Sequence, residues 1–152
     1  MKAMGFRVIN TGERLPCPIC GGGLNAYGWR ERKVIESDGG TKLLLIHRLL
    51  CTKCGGIHHE LPDILVPYKR HCAETIEKVI SGKSDDVYCE GSTIRRIQNW
   101  WQILYIYFQG VCAALTAKHF VSFSEPLQPR EVVLAVANAH LWVSTRSACP
   151  SG

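Results

Sequence analysis

The sequence lacks an uninterrupted apolar segment of the kind that anchors a protein in a membrane or directs its secretion. Its first eleven residues contain Lys2 and Arg7 but no continuous apolar run, so they do not read as a secretory signal. The most apolar stretch, residues 100–117, is interrupted by two glutamines and a glycine and is short for a membrane span. We therefore expect a cytoplasmic protein with no membrane partner.

The sequence also lacks the patterns of common enzyme classes. It has no Ser/His/Asp arrangement and no glycine-rich loop that would cradle phosphate. A redox-active pair of Cys17 and Cys20 is one enzyme hypothesis, but two matched Cys-x-x-Cys turns fit a metal better than a single exchanging dithiol. We expect no catalytic activity.

Neither internal repeats nor low-complexity tracts are present. Hydrophobic residues make up 46% of the 152 residues and charged residues 20%, a balance typical of a folded protein with a packed core. The formal net charge of +5 favours a polyanionic partner but is too small to identify one.

Two Cys-x-x-Cys turns predict a metal site. Each turn is followed by two glycines, which supply the positive φ that a tight turn needs. In the reducing cytosol paired cysteines are more often metal ligands than disulfides. Four thiolates leave no open position for water, so the pattern predicts one structural zinc ion. The predicted ligands are Cys17, Cys20, Cys51 and Cys54.

Other residues near the second turn are alternative metal ligands. His58, His59, His71 and Cys72 follow Cys54 closely enough to replace a ligand or to form a second site. The remaining cysteines and histidines show no ligand spacing and are interpreted as core or surface residues.

The segment between the two turns predicts a β-hairpin. Residues 25–36 and 41–50 are rich in aromatic and branched side chains, and Asp38, Gly39 and Gly40 between them are a turn signal. Antiparallel pairing brings both cysteine turns to the open end of the hairpin, where the metal closes it.

The following segment predicts helices. Apolar residues from Tyr68 to Ile80 follow helical spacing up to a stop at Gly82, and residues 84–86 are a candidate cap for a short turn of helix ending at Gly91. Ser92 is a candidate cap for a longer helix from Thr93 to about Lys118. Another helix is expected from Pro129 through residue 143, followed by a loose tail. The predicted domains are a zinc ribbon at 1–66, a helix-turn-helix-like lobe at 67–118 and a C-terminal helix and tail at 119–152.

The long helix has a polar face with the chemistry of a DNA-reading surface. Arginine can bridge guanine edges or phosphates, and asparagine and glutamine can pair with adenine. A solvated face of an amphipathic helix is the alternative interpretation. The candidate base-reading residues are Arg95, Arg96, Asn99 and Gln102.

A second set of basic residues is a candidate for phosphate contacts that do not read sequence. An ordinary solvated charge run is the alternative. This set consists of Arg30, Arg32, Lys33, Lys69 and Arg70. The neighbouring Trp100 and Trp101 could stack on bases, but their position in the helical pattern favours packing in the core or in a dimer.

Several motifs resemble the zinc-finger and helix-turn-helix head of insertion-sequence transposases, as found in bacterial transposon-related proteins. They are the Cys-Pro-Ile-Cys-Gly-Gly turn, residues 48–54 and 60–70, and the Ser-Thr-Ile-Arg-Arg run before the tryptophan pair. The resemblance spans residues 17–101. It implies metal binding by the four cysteines and binding of terminal DNA by Arg95, Arg96 and Asn99.

The chain departs from such transposases in its acidic residues. They cut DNA with three carboxylates that hold two metal ions, whereas after Glu90 this chain has only Glu125 and Glu131. The sequence therefore does not show the acidic residues expected of a nuclease domain. The C-terminal third carries no recognisable resemblance.

Together these patterns predict an α+β protein: a zinc ribbon made of an antiparallel hairpin and two cysteine turns, followed by a small all-α lobe. The predicted function is zinc-dependent binding of double-stranded DNA by a non-catalytic accessory, regulator or remnant of a transposable element. The alternative is a protein-interaction adaptor that dimerises or binds a partner through the helix of residues 100–115.

Overall fold

A computed structural model describes residues 4–9, 16–17, 19–139 and 141–142, and for residues 4–9 only the backbone. The described chain is α+β, with a sheet in its first half and helices in its second. In chain order its elements are β1 (Met4–Ile9), β2 (Leu24–Ile35), β3 (Thr41–Cys51), β4 (Ile57–Pro62), α1 (Ala73–Ile80), a 3-10 turn (Ser84–Asp86), α2 (Gly91–His119) and α3 (Pro129–Asn138).

The predicted hairpin is confirmed. β2 and β3 pair antiparallel from Leu24 opposite Cys51 to Ile35 opposite Thr41. Gly39 has φ +88° in the connecting turn, a conformation that favours glycine. The open end of the hairpin therefore lies beside the first and second cysteine turns, as the sequence predicts.

The hairpin is part of a larger sheet that the sequence does not predict. β4 pairs antiparallel with β3, and β1 pairs parallel with β4, so that the strand order is β1-β4-β3-β2. Leu61 and Pro62 are the last two residues of β4.

The two faces of the hairpin differ in burial. Val34 and Ile46 lie on the face that packs against Leu61, Leu65 and Cys72 in a small core. The opposite face is exposed, and its large apolar side chains, Trp29, Leu43 and Leu45, are each more than half accessible.

The first helix starts later than the periodicity predicts. Tyr68 has φ +64°, which is incompatible with a right-handed helix, and α1 begins only at Ala73. The N–H of Ile35 donates to the carbonyl of Arg70, and the N–H of Cys72 donates to the carbonyl of Ile35. These bonds to β2 keep residues 70–72 extended, so tertiary pairing overrides the helical pattern of Tyr68 and Cys72.

The long helix matches its predicted extent within two residues. α2 starts at Gly91, with Glu90 in the cap position and no side-chain cap, so Ser92 lies inside the helix instead of capping it. At the other end Phe120 adopts a left-handed conformation after His119. No helix in the described part of the chain is both long and apolar enough to cross a membrane.

All three helices share one apolar core. Trp100 and Phe108 of α2 are fully buried there, together with Val132 and Val136 of α3 and Ile76 of α1. Burying an aromatic side chain of this size typically stabilises a fold by about 3–5 kcal/mol relative to alanine. α3 ends at Asn138, earlier than predicted, and the predicted continuation to Val143 reaches outside the described residues.

Candidate metal centre and basic surfaces

The two cysteine turns have the same backbone conformation. In the first turn the N–H of Cys17 donates to the carbonyl of Gly22 at 3.0 Å, and the N–H of Gly21 donates to the carbonyl of Cys17 at 2.8 Å. The second turn repeats both hydrogen bonds at 2.9 and 3.1 Å among Cys51, Gly55 and Gly56. These hydrogen bonds close each turn. Cys20 in the first turn and Cys54 in the second therefore present a second thiol to the same point.

Glycine is required at one equivalent position of each turn. Gly21 has φ +73° and Gly55 has φ +74°, a left-handed conformation that other residues adopt with strain. The repeated Cys-x-x-Cys-Gly pattern thus encodes a repeated geometry.

The four predicted ligands lie together. The sulfur atoms of Cys17, Cys20, Cys51 and Cys54 all lie within 4.8 Å of one another. Cys17 and Cys54 are 3.8 Å apart, and Cys20 and Cys51 are 3.4 Å apart. Four sulfurs around a tetrahedral ion at its usual zinc–sulfur bond length are about 3.8 Å from each other. The cluster can therefore hold a metal ion, and its size and ligand chemistry fit zinc.

Backbone N–H groups are directed at two of the sulfurs. Those of Lys53 and Cys54 lie 3.4 Å from the sulfur of Cys51, and that of Gly22 lies 3.4 Å from the sulfur of Cys20. The N–H group of Cys54 first, then that of Lys53 and the thiols of Cys20 and Cys54, outweigh the effect of burial and lower the pKa of Cys51 to about 6. The thiolate form that a metal requires is thus stabilised by the turn itself.

The thiol of Cys54 behaves in the opposite way. The backbone N–H of Gly56 lowers its pKa, but the adjacent thiol of Cys51 and burial outweigh that contribution and raise it to about 11. Neighbouring thiols resist ionising together because their negative charges repel. A cation at the centre of the cluster removes this repulsion.

One of the alternative ligands contacts the cluster. Nε2 of His58, a fully buried residue of β4, lies 3.4 Å from the sulfur of Cys17. It does not belong to the group of mutually close ligand atoms, and neither do His59, His71 or Cys72. The geometry suits a hydrogen bond from the imidazole to the Cys17 thiolate, the kind of support that orients metal ligands.

The predicted polar face of α2 is exposed. Arg95 and Arg96 are exposed, and neither forms an ion pair with any described residue. Asn99 and Gln102 are also exposed, while the tryptophans between them point into the core. The tryptophan pair is thus core packing, as favoured from its spacing.

The second predicted basic set is divided between surface and interior. Arg30, Lys33 and Arg70 are exposed. Arg32 points inward, and its Nη2 donates to the carbonyls of Val66 at 2.9 Å and Lys69 at 2.6 Å.

Lys69 is 4% exposed, and its Nζ lies 4.5 Å from the ring centroid of Trp100. Its ammonium group is held by the helical core instead of being offered to solvent. Because Lys69 is buried, it is not a surface phosphate contact. Arg32 has a structural role instead, since its guanidinium group donates to two backbone carbonyls.

Sequence reasoning did not identify Arg48 as a basic residue near Arg30, nor did it place the buried His59 beside it. Arg48 lies opposite Gly28 of β2 on one side and opposite His59 of β4 on the other. An arginine at position 48 is unusual in such an apolar strand, and this could have drawn attention to it. Its neighbours, however, depend on the register of three strands, which the sequence does not reveal.

Comparisons with known proteins identify one family. No curated protein and no solved structure matches the chain. Residues 17–97, just over half of the 152, match the family described as Domain of unknown function (DUF6431). The match begins at the first metal ligand and contains all four cysteines, strands β2 to β4, α1 and the start of α2. On this evidence the chain belongs to the DUF6431 family.

Proposed function

We propose that this chain is a non-catalytic DNA-binding protein whose hairpin is held by one structural zinc ion. The observation that carries the proposal is the exposed polar face at the start of α2, on a helix whose other face is fixed in the core. Its side chains are Arg95, Arg96, Asn99 and Gln102.

The metal centre supports a structural role for the ion. Its four sulfur ligands fill a tetrahedral coordination sphere, whereas catalytic zinc normally keeps one position for water or substrate. Cys17 and Cys20 precede β2, and Cys51 and Cys54 follow β3 at the same end of the hairpin. An ion bound there fixes the ends of both strands.

The polar face of α2 supports DNA contact. The guanidinium groups of Arg95 and Arg96 have no carboxylate partner among the described residues, so binding phosphate or guanine breaks no internal ion pair. Asn99 and Gln102, one turn further on, carry amides that can pair bidentately with adenine. Phosphate contacts would supply affinity and this face would supply selectivity.

The order of the elements supports two finer parts of the proposal. α1, the 3-10 turn and α2 follow one another as in a helix-turn-helix, and the sheet with its two cysteine turns follows the plan of a zinc ribbon. A role as accessory, regulator or remnant of a transposable element is supported by the sequence resemblance alone.

Selection from a random duplex library tests the proposal. We expect the zinc-loaded wild type to enrich a sequence and Asn99→Ala to lose that enrichment. Arg95→Gln should weaken binding roughly tenfold, as for a lost charged contact. Gln109→Ala, an exposed substitution further along α2, is the matched control. Wild type that enriches nothing and shows no salt-dependent duplex binding would overturn the proposal.

A second function is favoured by the other half of α2. Ile106 is 80% exposed and Ile103 is 54% exposed, and Phe120 just after the helix is 94% exposed. Apolar side chains left in solvent are typical of interaction surfaces. In this alternative the chain is an adaptor that dimerises or binds a protein through this stripe.

Light scattering distinguishes the two functions. Association that persists at high salt without DNA and is abolished by Ile106→Asp would favour the adaptor, because phosphate-driven binding weakens steeply as salt rises. A monomer at all salt concentrations would count against it.

A further inference from the structure

A basic cluster lies on the sheet face that carries Ile46, towards the metal end of the hairpin. It consists of the exposed Arg30 and the half-buried Arg48, with the buried His59 beside Arg48. Arg30 pairs with Ile46, and Arg48, two residues further along β3, pairs with Gly28 and with His59. Directly paired residues of antiparallel strands point to the same face, as do residues two apart on one strand. The three side chains therefore share one face.

Glycine at position 28 makes room for one of these guanidinium groups. Gly28 has φ +111° at the irregularity where β2 changes register. A Cβ built there would lie 3.3 Å from Nη2 of Arg48, so the guanidinium group lies directly over the glycine. The same guanidinium group lies 5.3 Å from the ring centroid of Tyr27. Its position is thus set by backbone and ring.

The cluster contains uncompensated positive charge. Neither Arg30 nor Arg48 forms an ion pair with a described residue. The buried Nε of Arg48 has no hydrogen-bond partner in the described part of the chain. Burial first, and then the positive charges of Arg30, Arg48 and Arg32, lower the pKa of His59 to about 4.

We propose that Arg30 and Arg48 of the basic cluster are a second DNA contact, which binds a backbone phosphate. This inference rests on the proposed function and extends it to the sheet. A phosphodiester oxygen pair matches the planar donor fork of arginine, and an anion satisfies the charge that the fold leaves uncompensated.

The test measures duplex binding of the zinc-loaded full chain at several salt concentrations. Each phosphate contact contributes about 0.9 to the slope of log affinity against log salt. We expect Arg30→Gln and Arg48→Gln each to reduce the slope by about that amount. Each should weaken binding roughly tenfold near 0.1 M salt, equally for all sequences.

Lys118→Gln is the matched control, because it removes one positive charge from an exposed residue at the far end of α2. Zinc content and circular dichroism verify the fold of each variant. Arg30 is exposed, so Arg30→Gln decides the question if Arg48→Gln does not fold. Inorganic phosphate, compared with chloride at equal ionic strength, reports whether the cluster prefers the free anion.

The outcomes separate this inference from the function on which it rests. If Arg95→Gln weakens binding while Arg30→Gln matches Lys118→Gln, the basic cluster is not a contact and the proposed function stands. If millimolar inorganic phosphate occupies the cluster and duplex affinity does not depend on Arg30, the phosphate source is the free anion and the DNA contact is refuted. If wild type binds no duplex, both proposals fall.

Discussion

Replacing one metal ligand tests the centre most directly. Cys51→Ser removes a buried sulfur that lies 3.4 Å from Cys20 and receives two backbone N–H groups. Structural zinc contributes about 10–16 kcal/mol of apparent binding free energy in small domains. One ligand of four supplies about a quarter of that, about 2.5–4 kcal/mol, and this is the smallest loss expected because the variant should release the ion altogether. This is comparable with much of the stability of a small fold.

The effect should be local to the hairpin. No metal ligand belongs to the core that α1, α2 and α3 share, so the helices keep their packing while β2 and β3 lose the closure of their open ends. We expect Cys51→Ser to lose its equivalent of zinc and to lower the melting temperature by at least about 5 °C. Hydrogen exchange should accelerate in β2 and β3 and stay slow in α2.

Cys89→Ser is the matched control, since Cys89 is a half-buried cysteine outside the cluster. It should keep one equivalent of zinc and its melting temperature within a few degrees. The reasoning would be refuted if Cys51→Ser bound a full equivalent of zinc with unchanged affinity, or if wild type bound none.

Three further changes test other parts of the structure. His58→Phe should weaken zinc affinity about 10- to 100-fold in chelator competition, because it removes the hydrogen bond to Cys17, and unchanged affinity would contradict that role. Trp100→Ala should reduce the unfolding free energy by about 3–5 kcal/mol in urea titration without loss of zinc, and a loss below 1 kcal/mol would contradict the described core. Burial is the main reason that the pKa of His59 is lowered from 6.5 to about 4. The neutral imidazole therefore stabilises the fold above pH 6.5, and this stabilisation is lost as the pH falls towards 4. The unfolding free energy of His59→Gln should therefore fall less than that of wild type between pH 6.5 and 4, by on the order of 2–3 kcal/mol. Parallel curves for the two proteins would contradict the assignment.

The features predicted correctly from sequence are those encoded locally. The cysteine turns with Gly21 and Gly55 and the hairpin turn at Gly39 each depend on a few adjacent residues whose conformations are restricted. The extent of α2 follows from an amphipathic pattern sustained over many turns. In each case the short-range signal is not opposed by distant contacts.

The features that sequence did not predict depend on distant contacts. β4 shows almost no alternation of buried and exposed residues, because both of its faces are covered: Leu61 packs in the small core, and the buried His58 contacts Cys17. Lys69 looks like a surface charge beside Arg70, yet the chain folds it over Trp100. Arg48 and His59 meet Arg30 only after three strands have paired, so no local pattern could reveal the basic cluster.

The extent of the family match divides the proposed DNA contacts into two groups. Residues 17–97 include the four cysteines of the candidate metal centre and all the proposed arginine contacts, those of the basic cluster and Arg95 and Arg96. Asn99 and Gln102, the amides that would read adenine, lie beyond the match, as do Trp100 and Phe108, which fix the orientation of their helix. In the proposed function, adenine selectivity would therefore come from a different segment of the chain than the arginine contacts. Substituting Arg30 should lower affinity for every duplex alike, whereas substituting Asn99 should change which duplex is preferred.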